Sequence, residues 1–358
     1  MTAGGIVMIV SGFPRRSETF ALNELLGLDR RGVLAAVFAT KAGDGAPPQP
    51  GAELLSRPVH MLEPGTAIEQ AAEAVARLQT TRVTGIHAYF AHRPADVAAE
   101  AARRLDRPFG FSAHARDARK ITREQLWDRA RRAACVVACN TDVAAEFATS
   151  GAQVHLVPHG IDLRRFVPSP PPCNSPVRLL GVGRLVAKKG FDVLVSAVAH
   201  LPIPCRLNIV GEGPERSRLA GLIDWLGLTG SVTLCGSRSH TELPHDYAGA
   251  DIVVVPSIVD ETGDRDGLPN VVLEAMASGR PVVASDVGAM RSAVVNGATG
   301  ALVPPGDALA LAAAIERLAG VPDLRKRMGQ SGRALAEREF NLDHCTARLA
   351  GLLGGIYV

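Results

Sequence analysis

The sequence has no hydrophobic run near the roughly 20 residues needed to cross a bilayer. Apolar stretches such as VLAAVFA break off within about eight residues. The chain does not open on a basic, apolar and then small-residue succession, so no secretory leader is read and the cytoplasm is the expected compartment. Cysteine is sparse and scattered over Cys135, Cys139, Cys173, Cys205, Cys235 and Cys345, with no second pair or histidine cluster to complete a zinc site. Reduced, mostly buried thiols follow. Also missing is the third glycine of a dinucleotide fingerprint: GVGRLVAKKGF lacks it, which argues against a dinucleotide oxidoreductase. Net charge is only +3, and no nucleic-acid partner is expected.

What is present is length and alternation. The 358 residues exceed one typical core and suit two domains, and a hydrophobic fraction of 47% against 21% charged residues fits a soluble globular chain. Short β-rich runs alternate with helical patterns: GIVMIV, a helix from about Thr19, VLAAVFAT, a helix around Ile68 to Leu78, GIHAYFA, then PFGFS, CVVAC and QVHLVP. That spacing predicts βαβ units on a parallel sheet over residues 1–165. FVPSPPPCNSP, with five prolines in eleven residues, reads as an extended linker over 166–176. Alternation then restarts with VRLLGVG, RLNIVG, SVTLCG, DIVVVP, PVVAS and GALVP, predicting a second doubly wound sheet over 177–340. FNLDHCTARLAGLLGGIYV reads as a terminal helix over about 341–358 that crosses back to the first half. Two such sheets would face a cleft at the carboxyl ends of their strands, where ligands of open α/β sheets bind.

Several segments carry polar groups to those ends. In GVGRLVAKKGF, Gly183 leaves backbone N–H groups accessible at a strand-to-helix turn, and Arg184 and Lys189 add fixed positive charge suited to a diphosphate. An ordinary turn with solvated cations explains the same residues. VGEGPERSRL repeats the pattern at Gly211. FSAHARD sets His114 directly after a strand, whereas His87 and His92 of HAYFAH are read as structural. In SGFPRRSETF, Ser17 is expected to cap the following helix, with Glu18 in its first turn. Arg15, Ser17 and Thr19 are candidates for meeting an acceptor.

DRDGLPNVVLE admits two incompatible readings. Asp264 and Asp266 could hold a divalent cation, or Asp266 and Glu274 could accept hydrogen bonds from sugar hydroxyls without any metal. Pro269 suits a first helical position, and Gly267, Leu268 and Asn270 offer nearby polar groups. Between Ala101 and Arg132 there are ten Arg or Lys against four Asp or Glu. This run is either a solvated helix face or a docking surface for anionic lipid or an acidic acceptor.

Taken together, VPHGIDLRRF, GVGRLVAKKGF, VGEGPERSRL, ADIVVVPS and DGLPNVVLEAMASGRPVVASDVG resemble the retaining glycosyltransferases of family four, which have the GT-B fold of two Rossmann-like domains. SETFALNELLGLDRRG, HAYFAH and FSAHARD resemble the branch that builds exopolysaccharides of the colanic-acid type. The resemblance implies transfer of a hexose-type sugar from a nucleoside-diphosphate sugar held by the second domain to an acceptor held by the first. The acceptor would be a sugar, a glycolipid or a small metabolite, and the nucleotide sugar is a substrate, with no cofactor or metal implied.

By the same resemblance, Arg184 and Lys189 grip the diphosphate, Glu274 binds the ribose, and His114 meets the transferred sugar and leaving phosphate. Asp266 stands where the family commonly has Glu, one methylene longer, which weakens direct sugar contact. On this reading Asp264 falls back to a solvated loop residue. Lys189→Ala should lower turnover far more than folding. The alternatives are a nucleotide-sugar binding protein without turnover, a natural-product glycosyltransferase, and an epimerase or hydrolase on the same fold.

Overall fold

The structure is a computed structural model that describes residues 4–15, 18–43, 51–115, 120–170, 175–239 and 241–357. It divides into two compact units, Met1–Gly160 with Leu342–Val358, and Ile161–Asn341. The chain changes unit at Gly160 and Ile161, ahead of the proline-rich stretch.

In the first unit, β1 (Gly5–Phe13), β2 (Leu34–Ala42), β3 (Val59–Met61), β4 (Val83–Ala88), β5 (Phe109–Ala113), β6 (Cys135–Ala138) and β7 (Val154–Leu156) form one parallel sheet in the order β3-β2-β1-β4-β5-β6-β7. Helices α1 (Thr19–Arg30), α2 (Ala67–Ala76), α3 (Arg93–Leu105), α4 (Arg123–Arg132) and α5 (Thr141–Ala145) connect the strands. Strand β1 is buried on both faces and feeds two separate cores. Val7 and Ile9 pack with Phe111, Ala98 and Leu126, while Ile6, Met8 and Val10 pack with Leu25, Leu28 and Leu353. That division is the period of two of a strand covered by helices on both sides.

The terminal helix α12 (Leu342–Ile356) belongs to this unit and lies against α1, where Gly27 has no room for a side chain beside Thr346. Just beyond it, Tyr357 packs on Gly85 and Gly110, two positions that a Cβ would close. The Tyr357 hydroxyl lies 2.9 Å from His87 Nδ1, and Ser112 Oγ lies 2.9 Å from Nε2. Burial holds His87 down to about 3, so it is a neutral core histidine.

The second unit contains β8 (Val177–Val182), β9 (Cys205–Val210), β10 (Val232–Gly236), β11 (Ile252–Val255), β12 (Val282–Ser285) and β13 (Gly300–Val303), ordered β10-β9-β8-β11-β12-β13. Its helices are α6 (Phe191–Ala199), α7 (Arg216–Trp225), α8 (Leu243–Gly249), α9 (Asn270–Ala277), α10 (Ala308–Gly320) and α11 (Pro322–Glu339). Alternation again splits one strand between two cores: Ile252 and Val254 face Leu207 and Leu311, while Val253 and Val255 face Leu273 and Met276. Sequence periodicity did not reveal β3 or α8. The strand has three residues, and the helix only seven with a proline in its first turn, too few for a periodic signal.

The basic stretch between Ala101 and Arg132 is partly neutralised. Arg103 and Arg104 both pair with Glu100 at 2.8 Å, and Arg129 on α4 reaches Asp96 on α3 at 2.7 Å.

Candidate functional site

Each unit gathers polar side chains just beyond the carboxyl ends of its parallel strands, where helix N-termini and exposed backbone also converge. In the second unit the chain leaves β8 at Gly183 and passes through a 3-10 turn, Ala187–Lys189, before α6 begins. Gly190 joins the two at φ +62°, and a Cβ there would run into the Pro256 carbonyl after β11. The Lys188 carbonyl accepts from the Ile258 amide at 2.8 Å, fixing the turn to the next loop. Gly211, after β9, sits against the Gly183 carbonyl with no space for a side chain. Both glycines are required by close backbone approach.

This packing aims two lysines at the acidic loop. Lys189 Nζ donates to Asp266 Oδ2 at 2.7 Å, and Ser257 Oγ donates to the same oxygen at 2.7 Å. Lys188 Nζ lies 3.0 Å from Asp264 Oδ2 and 3.7 Å from Asp266 Oδ1. Asp266 is 8% exposed. Burial raises its carboxyl, but Lys189, Lys188 and the Ser257 hydroxyl outweigh that and leave it below the usual range. The expectation that Asp264 is merely solvated is therefore corrected, because a buried lysine needs a carboxylate partner and Asp264 supplies one. Lys188, adjacent to the residue singled out in the sequence, was missed. A lysine pair in a glycine-flanked turn does not reveal which member points inward.

Glu274 lies in the second turn of α9 and is 8% exposed. Burial raises its carboxyl above the usual range, opposed by a hydrogen bond from Tyr247 and by the charges of Arg165 and Lys189. The Tyr247 hydroxyl donates to Glu274 Oε2 at 2.6 Å from α8. Lys189 thus acts on both Asp266 and Glu274. Pro269 occupies the cap position of α9 with extended backbone, one residue before the first helical position expected of it. Gly267 is buried and its carbonyl accepts from the Ala289 amide at 3.2 Å, while Leu268 and Asn270 are half-buried beside it. Arg184 is exposed and makes no side-chain hydrogen bond or ion pair among the described residues.

In the first unit His114 follows β5 and is 8% exposed. Tyr89, Phe90 and Phe20 surround it with ring centroids 5.1, 5.0 and 5.3 Å away. His159 stacks on it at 5.1 Å with the two planes 8° apart. Behind these rings Glu24, on α1, takes the Tyr89 hydroxyl at 2.5 Å and sits 2.6 Å from His159 Nδ1. Burial opposes charge on His159, yet Glu24 and Cys139 raise it to about 10, and Glu24 itself is lowered despite its burial. The pair is ionised at neutral pH. Glu24 and His159 were invisible as partners because 135 positions separate them.

Arg15 pairs with Glu18 at 2.6 Å, and Thr19 opens α1. Ser17, proposed as cap and acceptor contact, lies outside the described residues. The cap position belongs to Glu18, not Ser17, and no side-chain hydrogen bond is made there.

The sequence matches two family descriptions, "Glycosyltransferase Family 4" over residues 17–165 and "Glycosyl transferases group 1" over 171–335. It is 36% identical over 177 residues to an alpha-D-kanosaminyltransferase of Streptomyces kanamyceticus, covering 49% of this chain and 44% of that one. It is 32% identical over 202 residues to the putative colanic acid biosynthesis glycosyltransferase WcaL of Salmonella typhimurium, covering 54% and 49%. The chain thus spans about half the length of these curated relatives. Anabaena Alr3699/HepE, solved in complex with UDP, superposes with a TM-score of 0.83 over 98% of this chain and all of its own, at 20% identity. The two parallel sheets are those of GT-B structures, and the chain carries a family-four glycosyltransferase domain followed by a group 1 glycosyltransferase domain.

Proposed function

We propose that this chain is a retaining, metal-independent glycosyltransferase that moves a hexose-type sugar from a nucleoside-diphosphate sugar to an acceptor hydroxyl in polysaccharide or glycoconjugate synthesis. The observation that carries the reading is the position of Lys189, which is bonded to Asp266 and acts electrostatically on Glu274 from a glycine-built turn. On this reading Lys189 and the exposed Arg184 take the diphosphate, and Glu274 takes the ribose hydroxyls through the oxygen that Tyr247 does not bond. Gly183, Gly211 and the Gly267, Leu268, Pro269 and Asn270 backbone shape the donor pocket. Asp266 takes sugar hydroxyls, directly or through water. His114 serves the transferred sugar and leaving phosphate, and Arg15, Ser17 and Thr19 serve the acceptor.

The chemistry needs no enzymic nucleophile. The acceptor oxygen bonds to the anomeric carbon as the bond to the diphosphate oxygen breaks. The acceptor proton passes to that departing oxygen on the same face, which retains configuration. Fixed cations at the leaving group lower the barrier because they need no reorganisation as charge develops. Lysines already paired with Asp264 and Asp266 favour this cation-assisted route over one in which those carboxylates bind a metal.

UDP is the first ligand to test, since Alr3699/HepE carries it in a similar fold. Thermal shift with UDP, GDP and ADP should give one clear stabiliser, by about 2.7 kcal/mol at a hundred times its dissociation constant. The corresponding sugar nucleotide should then release diphosphate only when an acceptor is supplied, with colanic-type oligosaccharides and glycolipids tried first. Binding without release would leave a nucleotide-sugar binding protein, and release without any acceptor would indicate a hydrolase or epimerase.

A further inference from the structure

The buried group around His114 is larger than the proposed transfer needs. Four separate segments contribute: Glu24 from α1, Tyr89 from the end of β4, His114 from the end of β5 and His159 after β7. One carboxylate anchors two of the rings that enclose His114. Glu24 Oε2 accepts from Tyr89 at 2.5 Å, and Glu24 Oε1 lies 2.6 Å from His159 Nδ1. Phe20 closes the set, with its ring 4.5 Å from His159 and 5.3 Å from His114.

Burying a carboxylate this deeply is costly unless it is paired, and apolar replacements of such pairs are often as stable. Stability alone therefore gives no reason for the pair. What it does provide is orientation: a ring held by an ion pair cannot turn freely, and His114 lies within 8° of parallel to it.

We propose that Glu24 and His159 are positioning residues for the transfer reaction, fixing the plane and depth of the His114 ring from behind. This rests on the role given to His114 above. His159 carries its proton at neutral pH because Glu24 faces it, so the bond between them is charge-assisted and short. Removing Glu24 frees the ring that His114 stacks on, and replacing His159 by phenylalanine leaves a ring that no ion pair holds. Misplacement of a reacting group by about 1 Å costs on the order of 100-fold in rate.

The test is a double-mutant cycle in the full chain, with the sugar nucleotide selected by the thermal-shift and release experiments above. Glu24→Gln, His159→Phe and the pair together are each combined with His114→Ala, and kcat, donor KM and the unfolding midpoint are measured. Glu24→Gln and His159→Phe should each lower kcat by about 10- to 100-fold, with donor KM changed less than about twofold because the contacts proposed for the ribose and for binding the diphosphate lie on the other unit. Added to His114→Ala, they should lower kcat no further.

Independent, multiplying losses would overturn the positioning role while leaving His114 in place. His114→Ala at wild-type rate would overturn both readings. Where a single substitution strands a buried charge and prevents folding, Glu24→Gln with His159→Phe removes both charges at once. A folded double variant with wild-type kcat would also refute the inference.

Discussion

Lys189 and Asp266, 77 positions apart in sequence, are joined by a 2.7 Å hydrogen bond at the carboxyl edge of the second sheet. The same oxygen of Asp266 takes the Ser257 hydroxyl, and Lys188 stands behind it. The residue proposed to grip the diphosphate is therefore also a structural partner, which changes what its removal should do.

Lys189→Ala is expected to cost about 1.5–3 kcal/mol of stability, the range for hydrogen bonds to charged groups. The sequence alone suggested a loss of turnover far larger than the loss of folding. Turnover should still fall by about 100-fold or more, as for loss of one preorganised donor to a developing charge. Urea unfolding alongside diphosphate release separates the two effects. A folded variant with an unchanged rate would remove Lys189 from the diphosphate site.

Arg184→Ala offers the clean contrast. Its side chain is exposed and makes no hydrogen bond or ion pair among the described residues, so stability should stay within about 0.5 kcal/mol. Affinity for the stabilising nucleoside diphosphate should fall by about tenfold, in line with loss of one charge-assisted contact. Calorimetric titration reads this directly, and equal affinities would place the diphosphate elsewhere.

Tyr247→Phe deletes the hydroxyl that donates to Glu274 Oε2. Glu274 is buried and its carboxyl already stands above the usual range, so losing this donor raises it further. A stability loss of about 1–3 kcal/mol is expected from the carboxylate left short of a partner. Donor KM should rise more than kcat falls, because the ribose contact is made in the ground state as well. A fall in kcat alone would contradict the ribose assignment.

Stability should also carry the mark of His159. Its folded value of about 10 lies above the ordinary 6.5, so the folded state binds the extra proton. The resulting stabilisation is complete below about 6.5, declines as pH rises, and is gone above about 10. Urea midpoints across that range should fall in the wild-type chain and fall less steeply in Glu24→Gln. Parallel slopes would show that the pair does not titrate as a unit. His87 acts at the other end: held near 3, it contributes stability that is present above 6.5 and lost as pH falls.

Much of this architecture was legible in the sequence because it depends on short-range patterns. Alternating apolar runs and helical segments placed most of the strands, and glycines next to lysines marked the turn after β8. The family motifs, read in order, suggest one polar group of Lys189, Asp266 and Glu274, and Lys189 is bonded to Asp266 in the structure. Local chemistry also located His114 at a strand end. It did not reveal which side chains would face one another.

Tertiary structure alone decided the partners. With the metal reading set aside by the resemblance, Asp264 reads as a solvated loop residue, but Lys188 reaches it once the turn after β8 docks on the loop after β11. Glu24 falls inside the helix expected from about Thr19, and it lies 2.6 Å from a histidine 135 positions away. The physical reason is the same in both cases. A buried charge needs a partner, which here arrives from a distant segment, and sequence order holds no distances between strands. Periodicity determined the sheets, and packing determined the pairs.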